Sequence, residues 1–68
     1  MGLFSSKEEK FQKAFNEGMD FYHQKEYGES IQEFKKALDY KDDSVECLYF
    51  LGSSYFRRDD KENALLIL

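Results

Sequence analysis

Apolar residues between positions 7 and 24 recur every three or four residues, which is the period of an α-helix. The apolar positions of this first segment are Phe11, Ala14, Phe15, Gly18, Met19, Phe21 and Tyr22. The same spacing predicts a second helix over about 29–40, a third over about 45–57 and a fourth that starts near Lys61. Short polar segments separate these stretches, and the chain contains no proline, the residue that most disrupts helices. The pattern therefore predicts an all-α fold.

Polar residues mark where these helices start and stop. Ser6 and Glu9 have the spacing of a capping box, in which the serine hydroxyl accepts a hydrogen bond from a free backbone N–H. We therefore expect Ser6 to cap the first helix. The polar segment 25–28 ends at Gly28, which we expect to supply the backbone freedom of a tight turn. The second helix is predicted to bury an apolar face formed by Ile31, Phe34, Ala37 and Leu38.

The chain matches itself at an offset of 34 residues. A fixed period of this length in a helical sequence predicts stacked helix pairs. A glycine inside a helix costs about 1 kcal/mol relative to alanine, so Gly18 indicates a close approach between helices, with the small Ser30 as its expected partner. The aligned pairs are Phe15 with Tyr49, Gly18 with Gly52, Tyr22 with Phe56, Ser30 with Ala64 and Phe34 with Leu68.

The residue types at this period resemble those of the tetratricopeptide repeat family. The second copy carries its signature positions at Leu48, Leu51, Gly52, Tyr55, Ala64 and Leu68. The first copy carries the matching positions at Ala14, Glu17, Gly18, Phe21, Ser30 and Phe34. Two positions depart from the family pattern: Glu17 stands where leucine is usual, and Asp42 stands where a proline often closes a repeat.

The resemblance implies a short right-handed α-solenoid, in which antiparallel helix pairs stack and the first helix of each pair lines a concave groove. It implies a flexible leader over 1–6 and one domain over 7–68. Within that domain it implies a first repeat at about 11–44 and a truncated second repeat at about 45–68. Members of this family are scaffolds for other proteins, so a protein or peptide partner is expected.

Helix geometry indicates which side chains would line such a groove, because positions seven apart lie on one stripe of a helix. The predicted peptide-binding groove consists of Phe15, Asn16, Met19, Tyr22, His23, Tyr49, Phe50, Ser53, Phe56 and Arg57. Aromatic rings and a methionine can hold an extended or helical peptide by apolar contact. The alternative is that these aromatic residues pack on neighbouring helices, and the sequence leaves both interpretations open.

Composition argues against several classes of function. The net charge is −4 and no basic stripe exists, so we expect no nucleic-acid partner. His23 is the only histidine, which leaves no histidine-based triad or multi-histidine metal site. Cys47 is the only cysteine and is predicted to be a small buried or half-buried thiol. No glycine-rich phosphate loop is present, so we expect no enzyme, no catalytic residue, no cofactor and no metal.

The N-terminal residues bear on localisation. The chain has neither a secretory signal nor an apolar span long enough for a membrane helix, which predicts a cytoplasmic protein. However, the segment 1–6 has glycine second and serine sixth, the pattern for N-myristoylation. A lipid-anchored adaptor is therefore a third, less favoured hypothesis, and no membrane contact is expected unless Gly2 is acylated.

The apolar segment 64–68 ends the sequence within the fourth predicted helix. By the repeat period this helix would continue to about residue 74. We expect either a fragment of a longer repeat protein or a homo-oligomer, dimeric or exchanged, in which another copy covers the face. The residues expected to mediate self-association are Leu65, Leu66 and Leu68. The leading hypothesis remains a non-enzymatic interaction scaffold, with a self-assembly module as the alternative.

Overall fold

The computed structural model describes residues 5–58, and three α-helices make up nearly all of this range. Helix α1 spans Ser6–His23, α2 spans Tyr27–Tyr40 and α3 spans Val45–Arg57. No strand occurs between residues 5 and 58, so the predicted all-α class is confirmed there. The predicted fourth helix, and all but the last two residues of the predicted leader, lie outside the described residues.

The start of α1 is capped one residue earlier than the sequence pattern indicates. Ser5, not Ser6, has the extended backbone of a cap, and its hydroxyl accepts a 3.2 Å hydrogen bond from the Glu8 N–H. The prediction of Ser6 as the cap is therefore wrong, because Ser6 already belongs to the first turn. Glu8 and Glu9 lie in this turn, where carboxylates complement the positive end of the helix dipole.

The turn between α1 and α2 depends on Lys25 and not on the predicted Gly28. Lys25 has a φ of 65°, in the left-handed region, whereas no glycine among the described residues has a positive φ. The Glu26 N–H donates to the Phe21 carbonyl at 2.8 Å, and the Lys25 N–H donates to the Tyr22 carbonyl at 3.1 Å. This hydrogen-bond pair is the Schellman motif that ends many helices, and it leaves Gly28 inside α2.

Helices α1 and α2 run antiparallel and approach most closely at Gly18. The start of α1 meets the end of α2, where the Lys41 ammonium lies 3.9 Å from the Glu8 carboxylate. A Cβ atom added to Gly18 would lie 2.6 Å from the ring of Phe34, a side chain with no exposed surface. The predicted close approach is thus present, but the partner of Gly18 is Phe34, and the expected pairing with Ser30 is wrong.

Helix α3 packs antiparallel to α2 through buried small residues. The Ser54 hydroxyl donates to the Phe50 carbonyl of its own helix at 2.7 Å, so it can accept from Ser30, which lies 2.9 Å away. The single proton of Ser30 has a second acceptor in the Tyr27 carbonyl at 2.8 Å. Further along the interface, the Cys47 thiol lies 3.3 Å from the Phe34 carbonyl. Ser30 therefore serves the α2–α3 contact.

The hydrophobic core lies where α2 meets both neighbours. Its buried apolar side chains are Phe11, Ala14, Ile31, Phe34, Ala37, Cys47 and Leu51. Leu38, which was predicted to be buried with them, is only partly buried and packs at the edge of the core. Among residues 5–58, no helix combines the length and the apolar character that crossing a membrane requires.

Candidate functional site

Aromatic rings fill the space between α1 and α3. Phe15 of α1 lies 5.8 Å from the ring of Phe34 and 6.3 Å from that of Phe50, measured between centroids. Tyr22, two helical turns further along α1, contacts Phe50 edge-on at 5.4 Å. We call Phe15, Tyr22, Phe34 and Phe50 the aromatic layer. Rings at these distances and tilts attract one another, so the layer fixes α1 relative to α3 over the middle helix.

A hydrogen-bonded chain closes one end of the aromatic layer. The Arg57 Nε–H donates to the Tyr22 hydroxyl at 2.8 Å, and that hydroxyl lies 2.7 Å from the hydroxyl of Ser53. Because the phenol accepts from Arg57, its own proton is available to Ser53. The hydrogen bond to Tyr22 is the main cause that raises the pKa of Arg57 above its usual value, with a smaller contribution from Tyr27. The same hydrogen bond holds the guanidinium over the Tyr22 ring, with its carbon 5.7 Å from the ring centroid.

Helix α3 also carries an apolar surface that contacts solvent. Val45 is 77% exposed, Tyr49 60%, Phe56 56% and Leu48 40%, and no other large hydrophobic side chain among residues 5–58 is so exposed. At 100° per residue, Val45, Tyr49 and Phe56 fall on one stripe of the helix, with Leu48 beside it. We call these four residues the exposed α3 face. It adjoins the aromatic layer, since the Tyr49 and Phe50 rings lie 5.2 Å apart.

The ten residues predicted to line a groove divide evenly by exposure. The partly buried ones are Phe15, Met19, Tyr22, Phe50 and Ser53. The exposed ones are Asn16, His23, Tyr49, Phe56 and Arg57. Phe15, Tyr22 and Phe50 contact neighbouring helices, whereas Tyr49 and Phe56 are open to solvent. Contact with a peptide stays a prediction for all ten residues.

Some residues of this region are absent from the sequence-based prediction. Val45 was not singled out, although it lies four residues before Tyr49 and so shares its stripe. The hydrogen bond between the buried hydroxyl groups of Ser30 and Ser54 was also not predicted. A sign of it in the sequence is that both serines occupy positions where the helical period favours an apolar residue. The predicted self-association residues Leu65, Leu66 and Leu68 lie outside the described residues.

Cys47 is a structural and not a reactive residue. It is wholly buried, as the sequence predicted, and burial raises the pKa of its thiol to about 11. A thiol with so high a pKa is protonated near neutral pH, and the thiolate is the nucleophilic form. Between residues 5 and 58, no three His, Cys, Asp or Glu side chains come together in a way that could hold a metal ion.

Comparisons with known proteins return no relative of this chain. No protein-family model matches it, and searches of the curated proteins and of the solved structures also find no match. The interpretation of the site therefore depends on the contacts and exposures of the described residues and on the internal repeat of the sequence.

Proposed function

We propose that this chain is a non-enzymatic protein-interaction module with a tetratricopeptide-like arrangement, which binds a peptide or a partner helix on the side that α1 and α3 share. The observation that carries the proposal is the exposed α3 face. Exposed aromatic side chains beside a packed aromatic surface are typical of protein-binding sites, because they offer large contact area at little cost in side-chain freedom. The 34-residue repeat and the antiparallel packing of α2 on both neighbours support the stacked arrangement.

The spacing on α3 suits a regular partner. Tyr49 and Phe56 are seven residues apart, so their Cα atoms are separated by about 10 Å along the helix axis. A partner helix presents its own apolar residues at the same separation over two turns. The aromatic layer beneath would give such a partner a stiff floor, since Phe15 and Tyr22 both contact Phe50.

The charge at one end of this surface indicates a preference in the partner. Arg57 is exposed and held by Tyr22, and the exposed His23 ring lies 6.1 Å from the Tyr22 ring. A guanidinium that is already oriented loses less freedom when it pairs with a carboxylate. We therefore expect a partner with apolar residues followed by an acidic group.

The proposal can be tested with a double substitution on the exposed α3 face. We expect Tyr49→Ala with Phe56→Ala to abolish capture of the partner from the native host, while far-UV circular dichroism stays unchanged. The matched control is Gln32→Ala with Lys35→Ala, two exposed residues of α2. This control should capture the partner as the natural chain does. Equal capture by both double variants would contradict the proposal.

The second candidate is a self-assembly module, in which another copy of the chain covers the same exposed α3 face. The four exposed apolar residues favour it, because a bare apolar surface on a small domain promotes association. Sedimentation distinguishes the two candidates. If the natural chain sediments as an oligomer and the Tyr49→Ala/Phe56→Ala variant as a monomer, the surface meets copies of itself. A monomeric natural chain at micromolar concentration rejects self-assembly.

A membrane-anchored adaptor has only the sequence pattern at Gly2 in its support. The intact mass of the protein isolated from its native host decides this question. An added mass equal to a myristoyl group would support the anchor, and an unmodified N-terminus would remove it.

A further inference from the structure

A groove between α1 and α2 gathers positive charge on the side of the hairpin away from α3. It has a volume of about 360 Å³ and is lined by Lys10, Lys13, Ala14, Glu17, Lys36 and Tyr40. On a helical wheel, the α1 members of this set lie roughly opposite Phe15 and Tyr22, the α1 residues that face α3. We call it the lysine groove. It is thus separate from the surface to which the proposed function is assigned.

The residues that line the lysine groove carry a net positive charge. Its three lysines and one glutamate give a local charge of about +2, although the chain as a whole carries −4. None of these four charged side chains has an ion-pair partner within residues 5–58. The ion pair in that part of the chain joins Lys41 to Glu8, and neither residue lines the groove. Like charges one helical turn apart, such as Lys10 and Lys13, destabilise a helix by a few tenths of a kcal/mol. Three ammonium groups without an ion-pair partner therefore lie together on the surface of a chain that is acidic overall.

We propose that the lysine groove is a binding site for a compact phosphate-bearing ligand with at least two negative charges. Lysine binds phosphate as a point charge and needs no fixed geometry, so lysines from two helices can converge on one anion. Ala14 forms part of the floor, and the partly buried Tyr40 adds a ring and a hydroxyl group able to donate a hydrogen bond. The groove volume lies at the small end of the range for ligand sites, which fits a compact anion.

Glu17 has a defined role in this site. It is the only carboxylate that lines the lysine groove, and it repels a bound anion. Its removal should therefore strengthen binding. We expect Glu17→Gln to bind the anion about threefold more tightly than the natural chain, a readout that a purely structural role would not give.

The test uses the full chain, with inorganic pyrophosphate as the probe and amide chemical shifts as the readout. Pyrophosphate should shift the signals of residues around the lysine groove and bind less tightly as salt is added. We expect Lys10→Gln with Lys13→Gln to weaken this binding about tenfold or more, because two charged contacts are lost. The matched control is Lys7→Gln with Lys35→Gln, which removes the same number of charges from the α1–α2 hairpin at two exposed positions that do not line the groove.

A second arm identifies the source of the phosphate. Co-sedimentation is measured with vesicles of phosphatidylcholine and phosphatidic acid, against phosphatidylcholine alone. Binding to pyrophosphate without binding to the vesicles indicates a soluble ligand. Vesicle binding that depends on Lys10 and Lys13 indicates a phosphate headgroup at a membrane surface. Either result supports the site.

Three results would overturn the proposal. The first is the absence of binding to both pyrophosphate and the vesicles. The second is an equal loss in the Lys7→Gln/Lys35→Gln control, which would show unspecific attraction to positive charge. The third is an acidic peptide that displaces pyrophosphate and binds more tightly, since the groove would then contact protein. Circular dichroism of every variant confirms that a loss of binding is not a loss of folding.

Discussion

The α1–α2 hairpin and α3 differ in how deeply their aromatic side chains are buried. In the hairpin the rings of Phe11 and Phe34 are buried, and Phe34 fits directly against the backbone of Gly18. In α3 the buried residues are Cys47, Leu51, Gly52 and Ser54, none of them aromatic, while Tyr49 and Phe56 contact solvent. The hairpin therefore supplies the buried rings of the core, whereas α3 buries no ring completely and leaves two exposed.

This difference indicates which residues stabilise the fold and, under the proposed function, which ones would contact a partner. A residue that fills the hairpin core should affect folding, whereas an aromatic residue of the exposed α3 face should affect binding with little effect on folding.

The largest effect is expected at Phe34. Phe34→Ala removes a ring with no exposed surface and leaves a cavity against Gly18, so the free energy of unfolding should fall by about 3–5 kcal/mol. Its partner on the other side of the comparison is Phe56→Ala, expected to change stability by less than about 0.5 kcal/mol. Urea denaturation followed by circular dichroism measures both. Equal losses would show that the two regions do not differ.

The next effect concerns the buried face of α3 and depends on pH. The pKa of the Cys47 thiol is about 11, raised from 9.0 by burial. The thiol ionises less readily in the folded chain than in the unfolded chain. The free energy of unfolding is therefore at its full value below pH 9 and falls as the pH rises from 9 through 11. The loss should be on the order of 2 kcal/mol. Urea denaturation between pH 8 and pH 11 should show a steeper decline for the natural chain than for Cys47→Ala, which lacks the thiol.

If the two pH profiles coincide, the thiol is not buried against α2 when the protein is in solution. The comparison with Cys47→Ala therefore also tests whether α3 stays docked on the hairpin.

A smaller effect is expected from a pair of glycines. Gly18→Ala places a methyl group 2.6 Å from the Phe34 ring, and the cost of overpacking should exceed the gain in helix propensity, leaving a net loss of about 1–2 kcal/mol. Gly28→Ala has its nearest neighbour at 4.0 Å, the flexible end of Arg58. It should stabilise the chain by up to about 1 kcal/mol. Thermal denaturation should shift in opposite directions for the two variants; a shift in the same direction contradicts the packing at Gly18.

The smallest effect is expected in the turn that joins α1 to α2. Lys25→Gly relieves the cost of a left-handed backbone at a residue with a side chain, and should stabilise the chain by about 0.5–1 kcal/mol. Lys25→Ala retains the strain and is the control. Equal melting temperatures for the two variants would show that the left-handed conformation at residue 25 is not maintained.

The helices could be predicted from the sequence because their apolar period and polar breaks are strong local signals. The first and last residues of α1 and α3 agree with the predicted bounds to within one residue, and those of α2 agree to within two. Details that depend on a single hydrogen bond were missed. Nothing in the sequence separates Ser5 from Ser6 as a cap, and a lysine at residue 25 gives no sign of a left-handed backbone.

The contacts of the candidate site were harder to predict from the sequence than the helices. The 34-residue period indicated a close approach at Gly18. It did not indicate that Phe34, instead of Ser30, would fill the space beside this glycine. Likewise Phe15 and Tyr49 occupy equivalent positions in the two copies of the repeat, but Phe15 packs on Phe34 and Tyr49 is exposed. Exposure depends on which helix lies alongside, and a residue pattern does not record that.

The contact between Tyr22, Ser53 and Arg57 has a consequence for the spacing of α1 and α3. Tyr22 and Arg57 are 35 residues apart and belong to helices that are not consecutive. The separation of those helices at this point thus depends on the size of side chains and not on the length of one connecting loop. Single substitutions at such positions can widen or narrow that separation while every helix keeps its length, so a lineage can change the shape of this side of the molecule without changing its fold.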